Sequence, residues 1–246
     1  MILAWRLATM QKYMNLAWRI ANMNRMHLKL EQVKLAGKVI TTDSFEEISL
    51  IGGCDQAYTN DGKIVSTIVV LDKNLKVVDS ANAVAECRMP YIPGYLFYRE
   101  AHVIIEAFNK LKQRPEILVV DGNGILHPRR IGMASQLGIV LDIPTIGVAK
   151  TLMMGQSMDG RIEVDKEIRA IEVRTREFAK PLYVSPGHRI SLKTAVEMIQ
   201  KMIVQPHKLP EPLHLAHRFA DKKRDRLANG PKFGQEPLKT AQEIDV

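Results

Sequence analysis

The chain has 246 residues, 46% of them hydrophobic and 25% charged, with two cysteines and a formal net charge of +8. This composition predicts one soluble globular domain and excludes a disordered chain, and no apolar run reaches the roughly 18 residues of a membrane-spanning helix. The basic charge suits a polyanionic partner, and two cysteines without CxxC spacing support neither a zinc site nor a disulfide framework, which favours a reducing, cytoplasmic location.

The first 25 residues differ in composition from the rest of the chain. Residues 1–25 carry four basic residues, no acidic residue and a repeated Leu-Ala-Trp-Arg sequence. An organelle-targeting segment shares the basic, acid-poor composition, but it is rich in serine, which this segment lacks. We therefore predict a dispensable extension with Met26 opening the domain, and a targeting segment is the alternative.

Three consecutive strands are predicted near the start of the domain. Mixed apolar and polar residues first indicate a helix over residues 27–40. The apolar runs at residues 48–58 and 64–71 flank an Asp-Gly turn, which is the strongest short signal for a hairpin. A further strand is predicted at residues 75–87 after a second turn. These segments predict three antiparallel strands in a row.

The pattern then changes to helices alternating with buried strands. Residues 96–111 repeat apolar positions at gaps of three and four, which is helical spacing. Short apolar runs at 116–122 and 145–149 are typical of parallel strands, with a helix at 129–139 between them. The later predictions are strands at 168–176 and 181–185, a helix at 191–204 and a frayed chain beyond Arg218. Together the segments predict a single-domain α/β fold, a mixed sheet flanked by helices.

Three carboxylates stand out from their local sequence. Asp121 ends a buried apolar strand and precedes Gly-Asn-Gly, so it lies where α/β sheets bind ligands. Asp55 lies inside a strand, and Glu100 falls on the inward stripe of its helix. A buried carboxylate needs a partner, and three oxygen ligands suit Mg²⁺ or Mn²⁺ better than zinc. A turn-capping role for Asp121 and a buried salt bridge for Asp55 are the alternatives.

Basic and aromatic groups follow these carboxylates along the chain. His127 and Arg129 come directly after the Asp121 loop, where they can contact phosphate or simply face solvent. Lys150 ends the next apolar strand, so we expect it at the same sheet edge. The prolines on both sides of Tyr91 stiffen its loop, so that the ring can stack on a base. Packing of Tyr91 against the protein is the alternative.

Six sequence blocks, in their order along the chain, resemble those of endonuclease V, a family also called deoxyinosine 3′ endonuclease. The blocks are GCDQAY, PYIPGYLFYRE, VVDGNGILHPRRIGMASQLG, IPTIGVAK, YVSPGHRIS and LPEPLHLAH. The resemblance covers residues 28–224, so we expect a catalytic domain over 26–224 and a polar tail over 225–246 with the composition of a disordered segment. It implies a ribonuclease H-like fold and Mg²⁺-dependent hydrolysis, with Mn²⁺ as a substitute. The implied cut is the second phosphodiester bond 3′ to deoxyinosine in DNA, leaving 3′-hydroxyl and 5′-phosphate ends.

Position by position, the resemblance implies roles for individual residues. The implied catalytic residues are Asp55, Glu100, Asp121 and Lys150. The implied metal ligands are Asp55, Asp121, Glu100 and His217. The implied DNA-binding residues are the wedge Tyr91, then Pro93, Gly94, Gly122, Gly124, His127 and Arg129. The chain departs from the common family pattern at Ala101 and Gln136, which stand in place of Gly and His.

Other functions are compatible with parts of this pattern. An endoribonuclease that prefers inosine would use the same metal site and differ in contacts to the 2′-hydroxyl. An inosine-binding module without cleavage would lack an acidic ligand, yet all three acids are present. A small-molecule phosphate enzyme would need a phosphate-binding loop, for which the chain has no signature. The expectation is therefore a monomeric DNA repair nuclease that acts on deoxyinosine, without membrane association.

Overall fold

The computed structural model of the protein describes residues 25–229. The helices of this range are α1 (Arg25–Ala36), α2 (Leu96–Asn109), α3 (Met133–Leu141), α4 (Leu192–Lys201) and α5 (Glu211–Ala228). Its strands are β1 (Ile51–Tyr58), β2 (Lys63–Leu71), β3 (Val77–Glu86), β4 (Ile117–Asp121), β5 (Thr145–Ala149), β6 (Gln156–Met158), β7 (Arg161–Val164), β8 (Glu167–Val173) and β9 (Leu182–His188). Between residues 25 and 229 no helix combines the length and apolarity needed to cross a membrane.

The strands form one mixed sheet in the order β3-β2-β1-β4-β5-β9-β8-β7-β6. β1, β2 and β3 are antiparallel neighbours, and the turn between the first two contains Gly62, whose φ of +83° favours glycine. β4 and β5 then run parallel to β1, and the remaining strands pair antiparallel with their neighbours. This arrangement confirms the predicted sheet of three antiparallel strands followed by parallel strands.

Helices cover both faces of the sheet and bury two separate cores. On one face, α2 and α3 pack over β1, β2 and β4, with Leu28 of α1 in the same cluster. On the other face, α4 and the start of α5 pack over β4, β5 and β9. Because both faces of the central parallel strands are buried, their sequences are continuous apolar runs rather than alternating ones.

The structure corrects three predicted segments. The chain does not fray directly after Arg218, because α5 continues to Ala228. β6, β7 and the whole of α5 were not predicted, and α1 ends at Ala36, four residues before the predicted end. The predicted N-terminal extension, apart from Arg25, and residues 230–246 of the predicted tail lie outside the described range.

No part of α5 was predicted, and one reason is that the helix buries small side chains. Ala216 and Ala220 are fully buried against β1 and β2, whereas most of the other residues after Arg218 are charged. The charged groups stabilise the helix surface, as in the pair of Arg224 with Asp221 three residues earlier. A stripe of two alanines gives too weak an apolar signal to predict a helix.

Candidate active site

Two aspartates meet because of the register of neighbouring parallel strands. Cys54 on β1 lies level with Val120 on β4, so Asp55 and Asp121 follow side by side at the carboxyl ends of the paired segments. Asp55 is only 5% exposed, and Asp121 is half-buried. The sheet edge predicted to hold the site therefore carries both predicted aspartates.

The third carboxylate reaches this edge from a helix. Glu100 lies on the sheet-facing side of α2 and is 4% exposed, as its place on the apolar stripe predicted. The Tyr58 hydroxyl, at the end of β1, donates a hydrogen bond to the Glu100 carboxylate. Arg99 in turn donates to the Tyr58 oxygen at 3.0 Å, and its guanidinium lies 4.7 Å from the centre of the tyrosine ring. Glu100 is thus held between α2 and β1.

Crowding of these acids changes their acidity. Burial, together with the nearby charge of Asp121, raises the pKa of Asp55 to about 6. Burial also raises the pKa of Glu100 to about 7, despite the hydrogen bond from Tyr58 and the nearby charge of Arg99. Both shifts show that negative charge at this edge is incompletely compensated by the protein itself.

One lysine supplies positive charge to the cluster. Lys150 follows β5 and its Nζ lies 2.5 Å from Oδ2 of Asp121, as expected from its place at the end of the strand. Burial alone would lower its pKa, but the charges of Asp121 and Asp55 outweigh burial and raise the pKa of Lys150. The lysine is therefore a permanent cation within contact distance of a carboxylate.

The donor set fits a hard divalent cation, although the side chains are paired with protein groups. Among residues 25–229 no three His, Cys, Asp or Glu side chains stand ready as a ligand group. Asp121 contacts Lys150, Glu100 accepts from Tyr58, and Asp55 contacts His217. Carboxylate oxygens are nevertheless the ligands that Mg²⁺ and Mn²⁺ prefer, and the raised pKa values of two of the acids mark a place where added positive charge is favourable.

A cleft of about 700 Å³ opens beside these acids. Its lining includes most of the predicted site residues, namely Asp55, Glu100, Asp121, Lys150, Tyr91, Pro93, Gly94, Gly122 and His127. Tyr91 is 62% exposed on a loop that lines the same cleft, so it does not pack inside the protein. The structure thus brings the predicted acids, the lysine and the loop of residues 90–94 that carries Tyr91 (the aromatic loop) to one cavity.

The other three predicted residues, Gly124, Arg129 and His217, are absent from the lining. Gly124 packs against the backbone of Pro186, where a Cβ would collide, so its role is close packing of the loop on β9. His217 of α5 lies beside Asp55, with Nδ1 2.7 Å from Oδ2 of that carboxylate. In this arrangement His217 contacts a predicted metal ligand, and whether it also binds metal stays a prediction.

His127 is held as a neutral imidazole with a defined tautomer. Burial and the nearby charges of Arg129 and Arg169 lower its pKa to about 4, despite its hydrogen bond to Gly94. The Arg129 backbone N–H donates to Nδ1 at 3.2 Å, which leaves the proton on Nε2. Nε2 is then the donor to the Gly94 carbonyl at 3.0 Å. His127 therefore fixes the aromatic loop of the cleft.

Three residues that line the cleft were given no role in the analysis of the sequence. The Oδ1 atom of Asn123 and the Oε1 atom of Gln136 are buried without a hydrogen-bond partner, and both residues line the cleft. Unpaired buried acceptors are costly, so these two oxygens are candidates to accept a hydrogen bond from a ligand. Asn123 could have been found from its place beside Asp121, whereas Tyr58 carried no signal, because its partner Glu100 is 42 residues away.

Comparison with known proteins agrees with this geometry. The family model of endonuclease V matches residues 33–218 of the chain. An endonuclease V of Dictyoglomus thermophilum is 41% identical over 200 residues, which are 78% of this chain and 87% of that protein.

Solved structures of the same family share the fold. The crystal structure of endonuclease V from Streptomyces avermitilis has a TM-score of 0.77 and 30% identity, covering 83% of this chain and 95% of that one. Endonuclease V of Ciona intestinalis, in complex with a 23mer DNA containing an inosine followed by a ribo-adenosine, has a TM-score of 0.73 and 28% identity, covering 82% of this chain and 97% of that one. The likeness confirms the predicted ribonuclease H-like fold. Since both the family model and the relative from Dictyoglomus cover most of the chain, the protein belongs to the endonuclease V family and is a nuclease.

Proposed function

We propose that this protein is a DNA repair endonuclease that uses Mg²⁺ to hydrolyse the second phosphodiester bond 3′ to deoxyinosine. The products would carry 3′-hydroxyl and 5′-phosphate ends. The observation that carries the proposal is the convergence of Asp55, Glu100, Asp121 and Lys150 in one cleft, which the exposed Tyr91 also lines. The residues proposed to cut the phosphate and the residue proposed to contact the base thereby line one cavity.

The acids and the lysine would divide the work of phosphodiester hydrolysis. Asp55 and Asp121 would hold Mg²⁺, which when bound activates water and neutralises charge on the phosphate. Glu100, held by Tyr58, would orient the water that attacks phosphorus in line with the leaving 3′-oxygen. Lys150 would offset negative charge that develops on the phosphate in the transition state. The reaction needs no covalent bond between the enzyme and its substrate.

Other residues of the same cleft would recognise the damaged base. The Ciona relative binds DNA that contains inosine, which supports the same substrate for this chain. An inosine pairs weakly, so turning it out of the duplex costs less than turning out a normal base. Tyr91 would fill the space that the base leaves, and Gly94, Gly122 and His127 line the cavity that would receive it.

Cleavage of inosine-containing RNA is a second candidate function. The DNA bound by the Ciona relative carries a ribonucleotide directly after its inosine. A 2′-hydroxyl at that position is therefore compatible with binding in that relative. The metal site would serve both substrates, since only contacts to the sugar differ.

The test is cleavage of four matched oligonucleotides, DNA and RNA, each with and without one inosine. With Mg²⁺ we expect a cut one nucleotide beyond the inosine, no cut in the inosine-free strands and no cut in excess EDTA. The Asp121→Ala variant should be inactive, while Asp159→Asn, in an exposed turn, should match the wild type. Tight inosine-dependent binding without metal-dependent cutting would overturn the proposal, and the ratio of DNA to RNA rates would identify the preferred substrate.

A further inference from the structure

One backbone carbonyl in the cleft wall accepts hydrogen bonds from three side chains. The Gly94 carbonyl receives Nε2 of Gln32 at 3.0 Å, Nε2 of His127 at 3.0 Å and Nη2 of Arg129 at 2.8 Å. Gly94 has a φ of +80°, and it ends the aromatic loop that carries Tyr91. A carbonyl oxygen has two lone pairs and rarely accepts three hydrogen bonds. This convergence therefore marks a point at which the loop is held in place.

Gln32 connects two of these three contacts. Its side-chain oxygen accepts a hydrogen bond from Nε of Arg129 at 2.6 Å, while its nitrogen donates to Gly94. Gln32 thereby uses both ends of its amide, and its exposure is 0%. A buried amide with satisfied oxygen and nitrogen fixes the geometry of its partners, because any movement leaves a polar group unpaired.

Arg129 completes the arrangement by turning toward the protein. Its guanidinium lies 4.6 Å from the ring centre of Tyr95, in addition to its bonds to Gln32 and Gly94. The side chain predicted to contact DNA is therefore occupied by the aromatic loop and by α1. Its contribution to DNA binding would be indirect.

We propose that Gln32 is a positioning residue, which ties α1 to the loop of Tyr91 and sets the place of that loop against the acids. The inference rests on the proposed function, since it gives the loop the task of holding the inosine. Gln32 does not itself line the cleft, and its hydrogen bonds run to Gly94 and Arg129, so we expect it to act through the loop and not on the phosphate. Loss of Gln32 should weaken recognition of the damaged base more than the chemical step.

The first test follows the loop without any substrate. In Gln32→Met, which keeps a long side chain but loses both hydrogen bonds, amide hydrogen exchange in residues 89–96 should accelerate about tenfold in the metal-free protein. The control is Leu35→Ala, which removes a buried group from the same helix and leaves the hydrogen bonds of Gln32 in place. It should lower the Tm without selective exchange in residues 89–96.

The second test separates binding from chemistry on inosine-containing DNA. For Gln32→Met we expect KM to rise about tenfold with kcat within roughly threefold of the wild type, since the acids are untouched. Gln32→Glu keeps the acceptor for Arg129 but cannot donate to Gly94, so its KM should lie between that of the wild type and that of Gln32→Met. It also keeps the proposal testable if the methionine variant fails to fold.

The proposal is overturned if a folded Gln32→Met protein shows wild-type exchange in the loop and an unchanged KM. It is also overturned if kcat falls while KM stays constant, because Gln32 would then affect the acids rather than the loop. A wild-type protein that leaves inosine-containing DNA uncut would refute the proposed function. The exchange experiment would still decide the role of Gln32, since it needs no substrate.

Discussion

Among the residues that the structure describes, Lys150 is the only lysine in contact with the acid cluster. A substitution there therefore tests the contribution of a single positive charge. Its ammonium lies 2.5 Å from Asp121, at the edge where the phosphate would bind. Replacing Lys150 with Gln removes the charge but keeps a polar side chain. We expect kcat on inosine-containing DNA to fall about 100-fold, because one electrostatic contact to the transition state is lost, while KM changes much less. Single-turnover kinetics in Mg²⁺ measure this effect.

Two further variants show whether the lysine acts on the phosphate or only on Asp121. Lys150→Arg keeps the positive charge and should recover part of the rate, whereas Lys201→Gln, at the end of α4, should have no effect. A kcat for Lys150→Gln within threefold of the wild type would reduce the lysine to a structural partner of Asp121.

Residues could be predicted from the sequence where their chemistry conflicts with their local surroundings. Asp121 ends an apolar strand and Glu100 lies on an apolar helix stripe. The sequence alone therefore indicated that each carboxylate requires a compensating partner. Gln32 gave no such signal, because its partners Gly94 and Arg129 are 62 and 97 residues away along the chain. Only the packing of α1 against two loops brings these groups together.

At the scale of elements, α5 reaches the active site through a close contact with β1. A Cβ on Gly53 would collide with the backbone of Pro212 in the first turn of α5. The same helix places His217 in contact with Asp55. We therefore expect Gly53→Ala to push α5 away from the sheet, to reduce the free energy of unfolding by about 3 kcal/mol and to lower activity. Urea denaturation, with oligonucleotide cleavage beside it, measures both effects.

Gly37→Ala is the matched control for this contact. Gly37 follows α1, and the nearest atom to a Cβ there would be an ordinary 3.8 Å away. The control should unfold within about 0.5 kcal/mol of the wild type, as surface substitutions usually do. Equal stability of the two glycine variants would show that α5 can shift without cost.

Elements with long apolar runs or clear turns were predictable, and those with weak patterns were not. The hairpin of β1 and β2 followed from an Asp-Gly turn, and β4 and β5 followed from their buried sequences. β6 and β7 have three and four residues, and every residue of β6 is exposed, so neither gives a run long enough to separate from a loop. β7 exists by pairing with β8 and β6 by pairing with β7, and local sequence does not encode either pairing.

At the scale of the whole molecule, the site depends on which strands become neighbours. β1, β4 and β5 are separated by long segments of chain, yet they are adjacent in the sheet and carry Asp55, Asp121 and Lys150 at the same edge. A parallel arrangement was predictable from the alternation of helices and buried strands, but the order of the strands was not. The resemblance to a known family implied a ribonuclease H-like fold, and the order of its strands comes from the structure.

Stability against pH is also a property of the whole molecule, and His188 gives it a testable component. His188 at the end of β9 accepts a hydrogen bond from the Ile40 backbone N–H at 3.2 Å, which requires an unprotonated nitrogen. Burial and the charge of Arg189 lower its pKa to about 4, against about 6.5 in the unfolded chain. The unfolded state therefore binds the proton first, so the contribution of His188 is present above about pH 6.5 and is lost progressively down to about pH 4.

Other groups act in both directions over the same range. The pKa values of Asp55 and Glu100, raised by burial to about 6 and 7, make their contribution to stability grow as the pH falls, because the folded state binds those protons more tightly. Comparing the wild type with a single variant removes these shared contributions from the difference. His188→Asn serves this purpose, since its oxygen can still accept from Ile40 but does not titrate.

We expect His188→Asn to show a smaller loss of Tm than the wild type between pH 7 and pH 4 in the metal-free protein. At pH 7 the two proteins should be similar, because the histidine is already neutral in both the folded and most of the unfolded chains. Thermal unfolding followed by circular dichroism at half-unit pH steps measures the two curves. Parallel curves across this range would contradict the argument, since they would show that His188 takes up its proton equally well in the folded and unfolded states.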